Sequence, residues 1–345
     1  MSLIHAGSSH ARLTGPGALA PPDDIDEEQI PCCLAQHGDG LLAHPLPGID
    51  DVEGARLPES LPPVVDAHVH VFPPRLFEAV WRWFDTWGWP IRYRLQADAA
   101  LDFLRARGVA HAVALHYAHK PGIARGMNRF VADLVGPRPD VTGVATVHPD
   151  DDDIAGILRE GFALGLRGVK LHCHVQCFAP DDPRLDAVYA TCAAAGLPLI
   201  MHAGREPKSP GYACDPHALC GVERVEAVLR AYPTVRLCVP HLGMDELAGY
   251  ARLLVRYDTL WLDTTMTLAD YFAPADGVGA SPRSMLEVRP DRVLFGTDFP
   301  NLPYAWDREI ARIARMGLGE ARLGMLLHGA AGSLFGAPLV QPSVR

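Results

Sequence analysis

The feature that most constrains the fold is an alternation of strand and helix patterns that begins near residue 61. Short apolar strand patterns occur at residues 64–70, 109–116, 141–148, 166–172, 197–202, 235–241, 259–263 and 292–298. Amphipathic helix patterns lie between them at 96–107, 121–135, 152–164, 184–195, 221–231, 244–256 and 303–316, and a last helix is predicted near 319–335. This alternation predicts a parallel sheet with helical crossovers.

Two α/β architectures fit such a pattern. Eight strand–helix units in about 280 residues favour a closed barrel, a fold that typically needs about 250 residues. The alternative is a doubly wound open sheet, which usually has a glycine-rich phosphate-binding turn after its first strand. Here His70-Val71-Phe72-Pro73-Pro74 follows the first strand instead. We therefore predict a (β/α)8 TIM barrel over residues 61–345.

Residues 1–60 differ from the rest of the chain. They are rich in glycine, proline and acidic residues, as in Pro21-Pro22-Asp23-Asp24 and Asp26-Glu27-Glu28, and they show little hydrophobic periodicity. A segment of this composition cannot build a core of its own. We expect an irregular N-terminal arm that lies on the barrel domain.

Composition narrows the classes of partner. With 31 basic and 41 acidic residues the net charge is −10, which argues against a nucleic-acid or acidic-membrane partner. No apolar run approaches the roughly 18 residues of a membrane span, and the N-terminus lacks a signal-peptide pattern. The eight cysteines show no C-x-x-C spacing, which favours reduced thiols in a cytoplasmic protein. A redox role for the adjacent pair Cys32 and Cys33 is the alternative.

Histidine or aspartate ends every predicted strand. The six histidines are followed by two aspartates: His70, His116, His148, His172, His202, His241, Asp263 and Asp298. In a parallel barrel all these strand ends meet at one mouth, where active sites lie. A single strand-end histidine is more often a hydrogen-bonded residue than a metal ligand, but eight such ends favour a metal site, because imidazole and carboxylate are donors for Zn²⁺, Mn²⁺ and Fe²⁺.

The first strand strengthens this interpretation. It contains a His-x-His pair, His68 and His70. Side chains alternate along a strand, so the two imidazoles face the same way, and Asp66 with them.

Lys170 is one of only three lysines in the chain, with Lys120 and Lys208. It lies in an otherwise apolar strand, two residues before His172. A buried ammonium group is costly unless it is paired or chemically altered. It could pair with Asp298 or a substrate carboxylate, form a carbamate that bridges two metal ions, or extend to the solvent at the barrel mouth.

An aromatic and basic stretch follows the first strand. It contains Trp81, Arg82, Trp83, Phe84, Trp87, Trp89, Arg92, Tyr93 and Arg94. Because loops after barrel strands face the active site, one interpretation is an aromatic lid with cationic edges for a flat, acidic small molecule. The other is a local core or a homodimer interface. Arg205, just beyond His202, could clamp a substrate carboxylate or be an ordinary surface arginine.

Five short segments occur in the order expected for a known family. They are Asp66-Ala67-His68-Val69-His70, Gly168-Val169-Lys170-Leu171-His172, Met201-His202-Ala203-Gly204, Pro240-His241-Leu242-Gly243 and Leu294-Phe295-Gly296-Thr297-Asp298-Phe299-Pro300. On these residues the chain from about 63 to 336 resembles the amidohydrolase superfamily, and within it the amidohydrolase-related (amidohydrolase-2) branch. The resemblance implies a (β/α)8 barrel with a divalent metal at its mouth.

The resemblance also implies residue roles. The ligands of single-metal members match His68, His70, His202 and Asp298. His241 matches a histidine that binds a second metal in binuclear members and contacts substrate or the reacting water in mononuclear ones. Lys170 lies on the strand that supplies the carbamylated lysine of binuclear members, a match in strand position only. His172 and His174 would line the mouth, and we take His172, Arg205 and Trp89 as candidate substrate contacts.

These roles suggest a metal-dependent hydrolase that attacks a C–O or C–N bond of a small carbonyl compound with activated water. We expect zinc, with manganese or iron as alternatives, and one ion, or two if Lys170 is carbamylated. Asp298 would carry the proton, and His241 would polarise the carbonyl or hold the water. The alternatives are a non-oxidative decarboxylase of an aromatic or unsaturated acid on the same site, and a non-catalytic barrel that binds a ligand or buffers metal, which would not require a general base.

Overall fold

The computed structural model describes residues 48–205, 208–271 and 282–340. Eight parallel strands occur in this part of the chain: β1 Val65–His70, β2 His111–Leu115, β3 Val141–Gly143, β4 Val169–His172, β5 Leu199–His202, β6 Leu237–Val239, β7 Leu260–Asp263 and β8 Val293–Leu294. The α-helices among them are Pro74–Trp87, Ala97–Ala106, Ala124–Val135, Ile154–Ala163, Cys173–Gln176, Asp186–Ala195, Pro216–Leu219, Val222–Ala231, Leu247–Arg256, Pro282–Val288, Arg308–Arg315, Glu320–Gly324 and Ala330–Phe335. The predicted (β/α)8 class is confirmed.

The strands form two parallel sheets, β1-β2-β3 and β4-β5-β6-β7-β8. Single bridges continue this order at both seams. Ala145 pairs with Val169 of β4, and Val69 of β1 pairs with Phe299 beyond β8. The amide of His70 donates to the carbonyl of Phe299 at 2.7 Å. The carboxyl ends of all eight strands therefore lie together.

The helices pack an apolar stripe against the strands. In helix Val222–Ala231 the buried residues are Val222, Val225, Val228 and Leu229, a helical spacing. Each such aliphatic side chain contributes about 1.5–3 kcal/mol when it leaves water. Among the described residues, no helix is both long enough and apolar enough to cross a membrane.

Several elements differ from the sequence-based prediction. The aromatic stretch after the first strand was predicted to be a loop. Its first part, up to Trp87, instead belongs to the helix Pro74–Trp87. Its proline at the first helical position and its apolar residues at Phe77, Val80 and Phe84 are ordinary helix signals. The strand predicted at 292–298 ends at Leu294, because the chain leaves the ladder there and Asp298 takes a left-handed backbone conformation with φ 77°.

The end of the N-terminal arm contacts the barrel. Asp51 pairs with Arg308 at 2.9 Å, and Glu53 pairs with Arg92 at 3.2 Å and Arg107 at 3.4 Å. Residues 1–47, which include Cys32 and Cys33, lie outside the described residues, so the redox role of this pair stays a prediction. The domain boundary at residue 60 also stays a prediction. The described cysteines Cys173, Cys177, Cys192, Cys214, Cys220 and Cys238 are free thiols.

His116, at the end of β2, predicts a pH-dependent stability. Its Nε2 lies 2.9 Å from the carbonyl oxygen of Val144, and burial lowers the pKa of its imidazole from 6.5 to about 4. Between these two pH values the imidazole is protonated in the unfolded chain but stays neutral in the folded chain. The free energy of unfolding therefore decreases as the pH drops from 6.5 to about 4. His116→Gln keeps a donor for Val144 and does not titrate. Urea unfolding at pH 7 and 4.5 should show a loss about 2 kcal/mol smaller in this variant than in the wild type; equal losses would contradict the assignment.

Candidate metal centre and active-site cavity

Two histidines of β1 meet one carboxylate from the loop after β8. Asp298 Oδ1 lies 2.9 Å from His70 Nε2 and 3.4 Å from His68 Nε2. The amide of Asp298 donates to the carbonyl oxygen of His68 at 2.9 Å, which fixes the carboxylate beside the strand. All three side chains are buried. The predicted convergence of β1 and the segment after β8 is therefore present.

Three donor atoms form a compact cluster. Among the described residues, His68, His241 and Asp298 each offer a ligand atom, and these atoms lie within 4.8 Å of one another. His68 Nδ1 lies 2.9 Å from Asp263 Oδ2, and His241 Nδ1 lies 2.9 Å from the carbonyl oxygen of Thr265. Because an oxygen holds Nδ1 in each ring, the hydrogen-bond network assigns the lone pair to Nε2, as in histidines that bind metals. The residues fit a divalent metal such as Zn²⁺ or Mn²⁺.

The other predicted metal ligands lie around this cluster. The His202 ring centroid is 4.6 Å from that of His241, and the His70 ring centroid is 5.1 Å from that of His68. The three-donor cluster thus contains His241, which sequence reasoning treated as a second-metal or water-contacting residue, and not His70 or His202. The ligand set His68, His70, His202 and Asp298 stays a prediction.

Lys170 lies beside the cluster and does not extend to solvent. Its side chain is 0% exposed, and its Nζ is 3.5 Å from His68 Nε2. Burial lowers the pKa of the ammonium group to about 8, against the opposing effect of the Asp263 and Asp298 charges. Of the roles considered for Lys170, the solvent-exposed one is excluded.

The electrostatics of Asp298 keep its side chain ionised. Burial by itself would raise the pKa of its carboxyl group, but the facing imidazoles of His70, His68 and His241 outweigh burial and hold the pKa well below its usual range. Asp298 is therefore a carboxylate at neutral pH.

Asp66 supports the site through the main chain. Its Oδ1 accepts from the amides of His68 and Thr297, each at 3.1 Å. Its Oδ2 accepts from the Thr297 hydroxyl at 2.6 Å. Burial raises the pKa of Asp66 to about 7. Asp66 therefore links β1 to Thr297, the residue before Asp298, by hydrogen bonds. The sequence predicted only that Asp66 faces the same way as the two histidines, and not this supporting role.

Gly296 allows the same two segments to approach each other. A Cβ on Gly296 would stand 2.7 Å from His68 Cβ and 2.5 Å from Thr265 Oγ1. Only glycine leaves room for the chain after β8 to pass behind His68. This gives a physical reason for the glycine in Phe295-Gly296-Thr297-Asp298.

Asp263, like Asp66, holds residues of the donor cluster in place, and the sequence analysis did not predict this role. One oxygen holds His68 Nδ1, and the other accepts from the His241 amide at 2.9 Å. The only sequence signal was its place at the end of the seventh strand. Asp263 therefore orients two of the three donors.

Asp263→Asn should weaken metal binding by about 10–100-fold, because the outer partners of metal-bound histidines have effects of this size. Competition with a chromogenic chelator measures the change. Asp258→Asn is a matched control, since the Asp258 side chain is 83% exposed and pairs with Arg289. Equal affinities for wild type and Asp263→Asn would remove Asp263 from the site.

A cavity of about 350 Å³ opens onto the cluster. Its polar lining includes His70, His172, His174, His202, His241 and Asp298, and its aromatic lining consists of Trp83, Phe84, Trp87, Trp89, Tyr117 and Tyr212. The His172 and His202 rings stack with centroids 4.1 Å apart. Both His172 and Trp89, two of the predicted substrate contacts, therefore lie at the cavity.

The structure does not bring the predicted cationic groups to the cavity. The Arg205 guanidinium is held by Asp245 at 3.2 Å and by Glu246 at 3.4 Å, and Arg205 is not among the lining residues. These two ion pairs favour the alternative of an ordinary surface arginine, and the role as a carboxylate clamp stays a prediction. Arg92 and Arg94 likewise pair with acidic residues away from the lining.

Two of the strand-end histidines also lie elsewhere. His116 bonds to the carbonyl of Val144, and His148 Nδ1 accepts from the amide of Asp150 at 3.1 Å. Neither lines the cavity. The position of a histidine at a strand end did not by itself predict that it would reach the mouth.

Comparison with known proteins agrees with this architecture. The model of the Amidohydrolase family (Amidohydro_2) matches residues 65–337. The chain belongs to the amidohydrolase family. No curated protein matches it.

Several solved structures share the fold. They include an uncharacterised TIM-barrel protein from Bordetella bronchiseptica (20% identity, 79% of this chain and 98% of that chain covered, TM-score 0.60). A 5-carboxyvanillate decarboxylase from Novosphingobium aromaticivorans, complexed with manganese and 4-hydroxy-3-methoxy-5-nitrobenzoic acid, is 17% identical (82% and 99% covered, TM-score 0.61). An amidohydrolase from Burkholderia multivorans with bound zinc is 18% identical (80% and 100% covered, TM-score 0.57).

Proposed function

We propose that this chain is a metal-dependent hydrolase that acts on a C–O or C–N bond of a small carbonyl compound. The observation that carries the proposal is the buried cluster of His68, His241 and Asp298 beside the cavity. A divalent ion, zinc first and manganese or iron as alternatives, would be held by His68, His70, His202 and Asp298, with His241 close by. An amidohydrolase of similar fold contains zinc and a decarboxylase of similar fold contains manganese, which supports these two metals as candidates.

The chemistry divides between the ion and the protein. When bound, the ion would supply a Lewis acid that makes water a nucleophile at neutral pH. Asp298, ionised and 2.9 Å from His70 Nε2, accepts the proton of the attacking water and passes it to the leaving group. His241 has Nδ1 held by Thr265, so Nε2 is an acceptor that holds the water or the metal. The same bond disfavours polarisation of the carbonyl by a neutral His241.

A second candidate is a non-oxidative decarboxylase of an aromatic or unsaturated acid. The aromatic lining of the cavity favours it, as does the fold shared with a 5-carboxyvanillate decarboxylase. In that reaction the carboxylate leaves as CO₂ and a proton replaces it, with no water added.

One assay separates these functions. The metal-loaded protein is incubated in ¹⁸O-labelled water with panels of esters, lactones and amides, and with carboxylated phenols. Products that carry ¹⁸O, lost on chelation and restored by metal, support the hydrolase. Release of CO₂ without ¹⁸O in the organic product supports the decarboxylase. If the metal-loaded chain turns over neither panel, both proposals fail and a non-catalytic metal-binding barrel is favoured.

A further inference from the structure

We propose that the cavity selects an aromatic compound with a single acidic or carbonyl group and rejects one with a second anionic group. This inference rests on the proposed function, because it concerns the same site. It also replaces the sequence-based expectation of an aromatic lid with cationic edges.

The first argument is the distribution of charge around the cavity. Among the described lining residues there is no lysine or arginine. The internal segments outside the description, 206–207 and 272–281, contain neither residue type in their sequence. Arg205 is paired with Asp245 and Glu246, and Lys170 is buried at the histidine cluster. Among the described residues, a distal carboxylate would therefore lose water without gaining a fixed cation.

The second argument is that the indole walls present rings and not donors. Trp83 Nε1 donates to the carbonyl oxygen of Gly211 at 3.0 Å, and Trp89 Nε1 donates to that of Asn301 at 2.8 Å. Both N–H groups are thereby directed to the protein main chain. What the two indoles offer a ligand is apolar ring surface, which suits stacking or edge contact with an aromatic ring.

The third argument is that these walls are fixed in place. A Cβ on Gly211 would stand 2.7 Å from Trp83 Nε1 and 2.7 Å from Trp87 Cγ. The loop after β5 therefore packs tightly against two indoles of helix Pro74–Trp87. The cavity volume of about 350 Å³ lies near the lower end of the usual range of about 300–1,000 Å³, which fits a single-ring compound.

The fourth argument is that the histidine cluster, in contrast to the indole walls, offers polar groups to the ligand. Five polar residues of the lining lie around the three-donor cluster and, in the proposed enzyme, surround the metal: His70, His172, His202, His241 and Asp298. The one carbonyl or carboxylate of the ligand is placed there, and its ring lies against the indoles. The ligand class is thus an aromatic ring with one carbonyl or carboxylate group.

Calorimetric titration of the metal-loaded full-length chain tests this with three probes: benzoate, cyclohexanecarboxylate and isophthalate. We expect benzoate to bind about tenfold more tightly than cyclohexanecarboxylate, since an aromatic contact of about 1.4 kcal/mol corresponds to tenfold. Isophthalate should bind at least about 100-fold more weakly than benzoate, because its second carboxylate is desolvated without a partner.

Variants of one helix provide the control. Trp83→Leu should remove most of the preference for benzoate over cyclohexanecarboxylate. Trp81→Leu is the same change on the same helix, at a residue that stacks on Phe77 and is not among the cavity-lining residues, so it should keep the preference. Circular dichroism of both variants checks that they are folded.

Three outcomes would overturn the inference: isophthalate binding as tightly as benzoate, cyclohexanecarboxylate binding as tightly as benzoate, or no binding of benzoate at all. Each leaves the hydrolase proposal intact if ¹⁸O-labelled products form from aliphatic substrates. Conversely, the expected binding order with no turnover of either substrate panel would refute the proposed function and keep the ligand class.

Discussion

Asp298→Asn is expected to lower kcat by about 10³-fold, within the range of about 10²–10⁴ for the loss of a general acid–base group. The amide has nearly the size of the carboxylate but cannot accept a proton at neutral pH. It also removes the negative charge that lies 2.9 Å from His70 Nε2 and 3.4 Å from His68 Nε2. Rates are measured on the best substrate of the panel, with metal saturating, so that weaker metal binding does not imitate lost proton transfer.

The control for this variant is another aspartate that pairs at the protein surface. Asp245→Asn removes a carboxylate that is paired with Arg205 and is not among the lining residues, and its kcat should stay within about twofold, because surface ion pairs have small effects. If Asp298→Asn with bound metal kept the wild-type kcat, Asp298 would not be the proton carrier, and the account of the reaction would need another base.

His68→Ala is expected to have the largest effect on metal binding, a decrease in affinity of more than about 100-fold, which exceeds the effect of losing an outer partner. His68 is the donor with the most buried partners: Asp263 on Nδ1 and both Asp298 and Lys170 near Nε2. Its removal deletes a proposed ligand and leaves Asp263 Oδ2 without its imidazole partner. Metal content after dialysis, measured by elemental analysis, gives the result.

His116→Gln is the matched control for His68→Ala. It also replaces a fully buried histidine of a neighbouring strand end, but one that bonds to a main-chain carbonyl outside the cavity lining. It should keep the wild-type metal content. Full metal occupancy in His68→Ala would show that the cluster around Asp298 is not the binding site.

The sequence predicted the order of the elements because buried parallel strands and amphipathic helices have clear hydrophobic periods. Helix Pro74–Trp87 has the same hydrophobic period, but its tryptophans favoured the prediction of a loop at the active site. Chain position also predicted that β1, β5, β6 and the segment after β8 would meet, since their carboxyl ends share one mouth.

Side-chain orientation was beyond the reach of the sequence. His116 and His241 both end strands, but His116 bonds to Val144, whereas His241 is held by Thr265 with Nε2 in the donor cluster. Arg205 was a candidate substrate contact at the cavity. In the structure it pairs with Asp245 and Glu246, which lie 40 and 41 positions later in the chain. Such pairings depend on contacts between distant segments, which hydrophobic periods do not encode.

The most direct test of the central claim is the metal content per chain of the purified full-length protein. Elemental analysis with quantitative amino-acid analysis should find about one equivalent of zinc, manganese or iron, and chelation should abolish both the metal signal and the turnover. Two equivalents would assign ligand roles to Lys170 and His241 as well. A folded chain that binds no divalent metal, or that keeps full turnover after chelation, would contradict the account.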